Sequence, residues 1–295
     1  MPCDSSLRDF TIRLRDGRNM GIASVGQGDG FPIIHCHGSG SSRLEVELLA
    51  AQASQEGVRL IGLDRPGVGL SDPKPGYRLL DWPDDVVEVA NQLGIKRFAV
   101  EGISAGGPYA LACASKISWR LTACGLISTV PPPDLMRSAG TRPMRAMWWI
   151  GAHAPHLLLL YARLTQRMIG SNAASIEKYL VRYAAHLGAA DQQLLNNPEI
   201  RGLLVKAMAE SSRQGGEGNL EVVLAEIRPW GFQVEQIAFE KIFLWHGEQD
   251  RIMPVAPARL LAQTLPHCIA TFYPDEGHFS TMAHYTRHIF SSLRG

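Results

Sequence analysis

The sequence has no long apolar run, no block of like charge and no closely paired cysteines, and each absence narrows what the protein can be. Its longest apolar region, Met147 to Leu160, is broken by Gly151, His153, Pro155 and His156 and falls short of the ~20 residues that cross a bilayer. No membrane span is expected. The first residues, Met1-Pro2-Cys3-Asp4-Ser5-Ser6, lack the basic start and apolar stretch of a secretory signal. The 29 Lys and Arg nearly balance 28 Asp and Glu, which argues against nucleic acid or an anionic surface as the main partner. A small, uncharged or weakly charged molecule is expected instead. Five cysteines, Cys3, Cys36, Cys113, Cys124 and Cys268, are odd in number, dispersed and never in a CxxC pair. That fits a reduced compartment better than a disulfide framework or a zinc site, so a soluble, cytoplasmic protein is expected.

What is present is enough apolar residue, 45% of 295, to bury a large core. Phe10–Leu14 and Met20–Val25 flank Asp16-Gly17-Arg18-Asn19 as a two-stranded hairpin. Further strands are expected at Phe31–His37, Val58–Leu63, Lys96–Glu101, Leu121–Thr129, Lys241–Trp245 and Ile269–Tyr273. Helices are expected at Arg43–Gln55, Asp81–Leu93, Gly107–Ala114, Pro257–Thr264 and Thr281–Leu293. This alternation predicts an α/β fold with a mostly parallel sheet covered on both faces and ligands beyond the carboxyl ends of its strands. Gly26-Gln27-Gly28-Asp29-Gly30 opens no helix, so it reads as a loop rather than a phosphate cradle. No cofactor is expected.

After Pro131-Pro132-Pro133 the strands stop, and the next hundred residues read as helices. The expected organisation is a core of residues 1–130 and 234–295 with an all-helical cap, 131–233, inserted in it.

The chemistry centres on Gly102-Ile103-Ser104-Ala105-Gly106, between an expected strand and an expected helix. A turn that sharp holds its central residue in a strained conformation and leaves no room for side chains on its neighbours, hence the glycines. A serine hydroxyl is a poor nucleophile at neutral pH and needs a base, which needs an orienting acid. The base candidate is His278, directly after the last strand. Asp250, after the preceding strand, is the preferred acid because the order serine, acid, histidine is then kept; Glu248, Asp275, Glu276 and Asp134 compete. For the developing oxyanion, the Ala105 amide opens the helix, and the compact Gly38-Ser39-Gly40 backbone offers the Ser39 amide. His35 and His37 share a strand face, but no third ligand is evident, and no metal is expected.

At this point the sequence resembles the α/β-hydrolase fold superfamily. The resemblance rests on His37-Gly38, Asp64-Arg65-Pro66-Gly67-Val68-Gly69-Leu70-Ser71, Gly102–Gly107, Gly247-Glu248-Gln249-Asp250 and Gly277-His278-Phe279, in order, over roughly residues 10–130 and 235–295. It implies a serine hydrolase with Ser104, Asp250 and His278 as triad, Ser39 and Ala105 supplying oxyanion amides, and the Asp64 loop as a structural turn. Two departures are informative. Ile103 stands where many members have histidine, and Glu101 stands on a central strand where many have an apolar residue. A buried Glu101 needs a partner, and a structural hydrogen bond is expected. Gly38, Ile103, Trp148 and Phe279 are expected to line the substrate pocket; Arg137, Arg142 and Arg145 read as a solvated face. The activity implied is hydrolysis of a small or medium, mostly apolar ester through an acyl-enzyme. The alternatives are a C–C bond hydrolase of the meta-cleavage-product type and a ligand-binding receptor without turnover.

Overall fold

The computed structural model describes residues 7–215 and 217–295. Eight strands form one sheet: β1 (Arg8–Arg13), β2 (Asn19–Gly26), β3 (Phe31–Cys36), β4 (Val58–Leu63), β5 (Phe98–Ile103), β6 (Leu121–Ile127), β7 (Ile242–Gly247) and β8 (Cys268–Tyr273). Their order is β1-β2-β4-β3-β5-β6-β7-β8, with β2 antiparallel to both neighbours and every other pairing parallel. The chain therefore has the expected α/β-hydrolase fold, and β5, which leads to Ser104, lies in the middle of the sheet.

Central strands are apolar on both sides because both faces are covered. Side chains alternate between two cores. Ile33, Ala99 and Ala123 enter one, with Ile289, Phe290 and Leu293; Ile34, Val100 and Cys124 enter the other, with Val86, Val89 and Leu111. The first core is closed by α1 (Ala50–Gln55) and by the carboxyl-terminal helix, and the second by α2 (Trp82–Gln92) and α3 (Gly107–Lys116). The predicted helix over 43–55 is instead a 3₁₀ turn, Arg43–Leu49, followed by α1. With three residues per turn, buried Arg43, Val46 and Leu49 stack on one face. That face lies against β4 at Gly62, where any Cβ would collide with the Arg43 carbonyl. Strand β5 starts two residues later than predicted because Lys96 and Arg97 are exposed, and β6 ends two earlier because Ser128 turns the chain at φ 45°.

Between β6 and β7 the described residues are helical or irregular: α4 (Pro133–Ala139), α5 (Arg142–His153), α6 (Pro155–Ile169), α7 (Ala173–Ala184), α8 (Ala189–Asn196), α9 (Pro198–Ser211) and α10 (Glu217–Ile227). This insertion sits over the carboxyl edge of the sheet, where Ser211 Oγ donates to Gly40 O (3.0 Å). Two more helices, α11 (Val255–Thr264) and α12 (Ser280–Arg294), complete the fold. Among the described residues, no helix is long and apolar enough to cross a membrane.

Candidate active site

Ser104 stands between β5 and α3 with φ 53°, a left-handed backbone otherwise adopted, among the described non-glycine residues, by Ser128. Its neighbours explain the spacing of the motif. A Cβ on Gly106 would run into the Cys36 carbonyl, and one on Gly102 into the Gly106 carbonyl. Backbone here is packed against backbone, and glycine alone fits. Ser104 is half-buried, its carbonyl accepts from Val130 N–H (2.9 Å), and its Oγ makes no hydrogen bond to a described residue.

Of the five candidate acids, Asp250 is the one that meets His278. Its Oδ2 lies 2.7 Å from His278 Nδ1, while Ile252 N–H and Met253 N–H donate to Oδ1 (2.8 and 2.7 Å). The aspartate is thus held from both sides, and it fixes which ring nitrogen of His278 carries the proton. Glu248 pairs with Arg259, Glu276 with His284, and Asp134 and Asp275 are exposed. Burial alone would lower the His278 pKa, but Asp250, with Asp191 and Glu45 adding to it, outweighs burial and raises it.

A second carboxylate, legible from no local pattern, fixes the His278 backbone. Asp191, on α8 of the insertion, accepts from His278 N–H (2.7 Å), Phe279 N–H (2.9 Å) and Ser280 N–H (2.9 Å). These are amides at the start of α12, which lack partners within the helix. A side chain from another part of the chain thus does the work of a local N-cap.

The Gly38–Ser39 loop is pinned in the same way. Gly38 N–H donates to Glu45 Oε2 (2.9 Å), and Arg65 donates to the carbonyls of Gly38 (2.8 Å) and Ala105 (3.3 Å). Because a trans peptide is planar, the Gly38 carbonyl aimed at Arg65 turns the Ser39 N–H the opposite way. Ser39, Ser104 and Ala105 line one cavity. Behind the loop, His35 donates from Nε2 to Glu45 (2.9 Å) and from Nδ1 to Glu101 (3.1 Å). Burial disfavours the imidazolium, yet the two carboxylates raise the His35 pKa to about 9. Glu101 therefore has the structural partner expected of it. His37 is driven the other way, well below the ordinary histidine range, by burial and by Arg65. Asp64 accepts from Arg43 N–H (2.7 Å), Arg43 Nη1 (2.7 Å) and Leu70 N–H (2.9 Å), which makes it the structural turn expected.

The cavity holds about 400 Å³ and is walled mainly by apolar side chains such as Val130, Leu158, Ile227 and Met253. Trp148 is part of that wall. The other three expected lining residues are placed elsewhere. Ile103 alternates into the core beneath the sheet with Ala99, Ile127 and Trp245; Phe279 packs edge-on to His278 and against the α7–α9 cluster. Gly38 stands one residue behind Ser39, where a Cβ would lie 3.7 Å from that of Ser104. Arg142 and Arg145 are exposed, as a solvated face requires. Glu226 of α10, which no sequence pattern marked, is buried in the cavity wall.

A mostly parallel sheet with a strained serine after its central strand and an aspartate–histidine pair beyond later strands defines a hydrolase architecture. The chain belongs to the alpha/beta hydrolase family, whose model it matches over residues 33–288. It is 27% identical over 264 residues to a 2-hydroxymuconate semialdehyde hydrolase from Pseudomonas putida, covering 88% of this chain and 85% of that one. Its structure resembles that of a hydrolase from Pseudomonas aeruginosa (TM-score 0.69, 16% identity, 97% of each chain). It likewise resembles a thermophilic esterase from Thermogutta terrifontis (TM-score 0.67, 20% identity, 97% of each chain). At these identities the two structures speak to the fold alone.

Proposed function

We propose that the protein is a serine hydrolase that cleaves a small to medium, mostly apolar carboxylic ester, with the helical insertion serving as the cap over its site. The observation that carries this reading is a serine held at φ 53° in the wall of an apolar cavity of about 400 Å³. Ser104 Oγ attacks the acyl carbon while its proton passes to His278 Nε2, and Asp250 stabilises the imidazolium. The Ser39 and Ala105 amides receive the negative charge that develops on the carbonyl oxygen. As the tetrahedral intermediate collapses, His278 returns the proton to the departing alkoxide, leaving an acyl-Ser104. Water, deprotonated by the same histidine, then releases the acid and restores the serine.

C–C bond hydrolysis is the second reading, favoured by the likeness to the Pseudomonas putida enzyme. Against it stands Glu226: the carboxylate of a vinylogous diketone acid would face another carboxyl, and the described cavity wall presents no Lys or Arg. The test is turnover of short p-nitrophenyl esters beside a vinylogous diketone acid. Ester turnover and fluorophosphonate labelling, both lost in Ser104→Ala, are expected. A wild-type protein that shows neither is not this enzyme, and one that cleaves the diketone acid but no ester is the C–C hydrolase.

A further inference from the structure

Among the described residues lining the cavity, three side chains bury a polar atom without a partner. One is Thr165 Oγ1; the other two, Glu226 Oε1 and Trp148 Nε1, belong to residues only 6% and 5% exposed. On α10, Val223, Glu226 and Ile227 fall at i, i+3 and i+4, so they share one helix face, and all three line the cavity. Trp148 enters from α5, in contact with the same apolar cluster. Neither atom has a part in the acyl transfer described above. Native structures rarely leave such groups unmet, because each desolvated donor or acceptor without a partner is costly.

The Glu226 and Trp148 atoms are complementary in kind. The indole N–H can only donate, whereas a carboxyl can accept and, when protonated, donate. A ligand group that both gives and takes a hydrogen bond suits either atom. A hydroxyl or an amide does so. An ammonium cannot accept from the indole and would add a second positive charge near Arg65, whose field already acts on Glu226; a carboxylate would be repelled.

We propose that Glu226 and Trp148 form a polar subsite that selects esters carrying a neutral hydroxyl or amide on their apolar chain. This rests on the ester-hydrolase reading of Ser104 and gives that reading a substrate class. Burial pushes the Glu226 carboxyl up to about 7, Arg65 opposing it. Near neutral pH both protonation states are present, and a hydroxyl satisfies either, donating to the carboxylate or accepting from the acid. Glu226 and Trp148 are specificity residues: they act at the far part of the substrate, away from the reacting carbonyl.

The test measures calorimetric binding to Ser104→Ala, which holds substrate without cleaving it. The probes are methyl octanoate, its 4-, 6- and 8-hydroxy derivatives, and methyl 8-aminooctanoate. At least one hydroxy ester is expected to bind about tenfold or more tighter than methyl octanoate, the scale of about one hydrogen bond to a chargeable group. The amine should gain nothing. Adding Glu226→Leu should erase the difference between the hydroxy and plain esters, and Glu226→Gln, which keeps an acceptor, should retain most of it. In the active enzyme the matching p-nitrophenyl esters should differ in KM more than in kcat. The proposal is overturned if no hydroxy ester exceeds methyl octanoate, if the preference survives Glu226→Leu, or if the amine gains instead. Failure of the hydrolase reading looks different: the hydroxy esters would bind to the protein, but no ester would turn over.

Discussion

Removing the Asp191 carboxylate should damage the site from the far side of the insertion. In Asp191→Ala three amides at the start of α12 lose their acceptor, at 2.7, 2.9 and 2.9 Å. Losing an N-cap costs about 1 kcal/mol, and each buried N–H left without a partner about 1–3 kcal/mol. His278 and Ser280 are buried while Phe279 is partly exposed, so two of the three amides belong to buried residues. The expected loss is ~2–4 kcal/mol, a fall in Tm of about 3–6 °C for a chain of this size. His278 would also shift, and a displacement on the order of 1 Å can cost about 100-fold in rate. Asp191→Asn separates structure from charge. It keeps one acceptor oxygen, so stability falls by less, but it removes a negative charge that helps raise the His278 pKa. The His278 pKa then drops, and because only neutral histidine can act as base, the acid limb of kcat/KM moves to lower pH. Thermal and urea unfolding together with a pH–rate profile read all of this. An Asp191→Ala protein that melts within a degree of wild type and hydrolyses esters within twofold of it would refute the reasoning.

Gly106→Ala should fail to yield folded protein, since its Cβ would overlap the Cys36 carbonyl on a neighbouring central strand; solubility and circular dichroism check it. Asp250→Asn should lower kcat by roughly 10⁴-fold, the scale known for such a change in a serine triad. Two backbone amides and His278 all donate to the Asp250 carboxylate, and an amide group must turn a donor toward one of them. Single-turnover kinetics would measure the loss. Stability should also fall in mildly alkaline solution. The His35 pKa, raised from 6.5 to about 9 by Glu45 and Glu101 against burial, contributes stability that is full below 6.5 and is lost as pH rises through about 9. The contribution is on the order of 3 kcal/mol. Urea unfolding at pH 6 and pH 9.5 tests it, and equal midpoints with equal slopes would contradict the charged His35.

The sequence by itself determined the elements whose causes are local. Gly102 announces an elbow because its exclusion by the Gly106 carbonyl acts within five residues, whereas Gly106 is excluded by the Cys36 carbonyl, which only the tertiary structure brings there. The order Ser104, Asp250, His278 was legible because each follows a strand, and parallel strands all end at the same edge. Chain order prefers Asp250, and the tertiary structure brings its carboxylate to 2.7 Å from His278 Nδ1. The 3₁₀ turn over Arg43–Leu49 was not legible, since its tighter winding comes from packing against Gly62 and not from propensity. Ile103 lies in the core rather than the expected pocket lining for a similar reason: which way the last residue of a strand points depends on register within the sheet.

Asp191 could be found by no pattern, for it meets His278 across 87 residues. Glu226, on a helix whose sequence carries no signal of the cavity beside it, was equally hidden. Local spacing encodes strain, turns and strand ends because these depend on neighbouring residues. Partners joined through space depend on how the insertion folds back over the sheet, and only the tertiary structure supplies them.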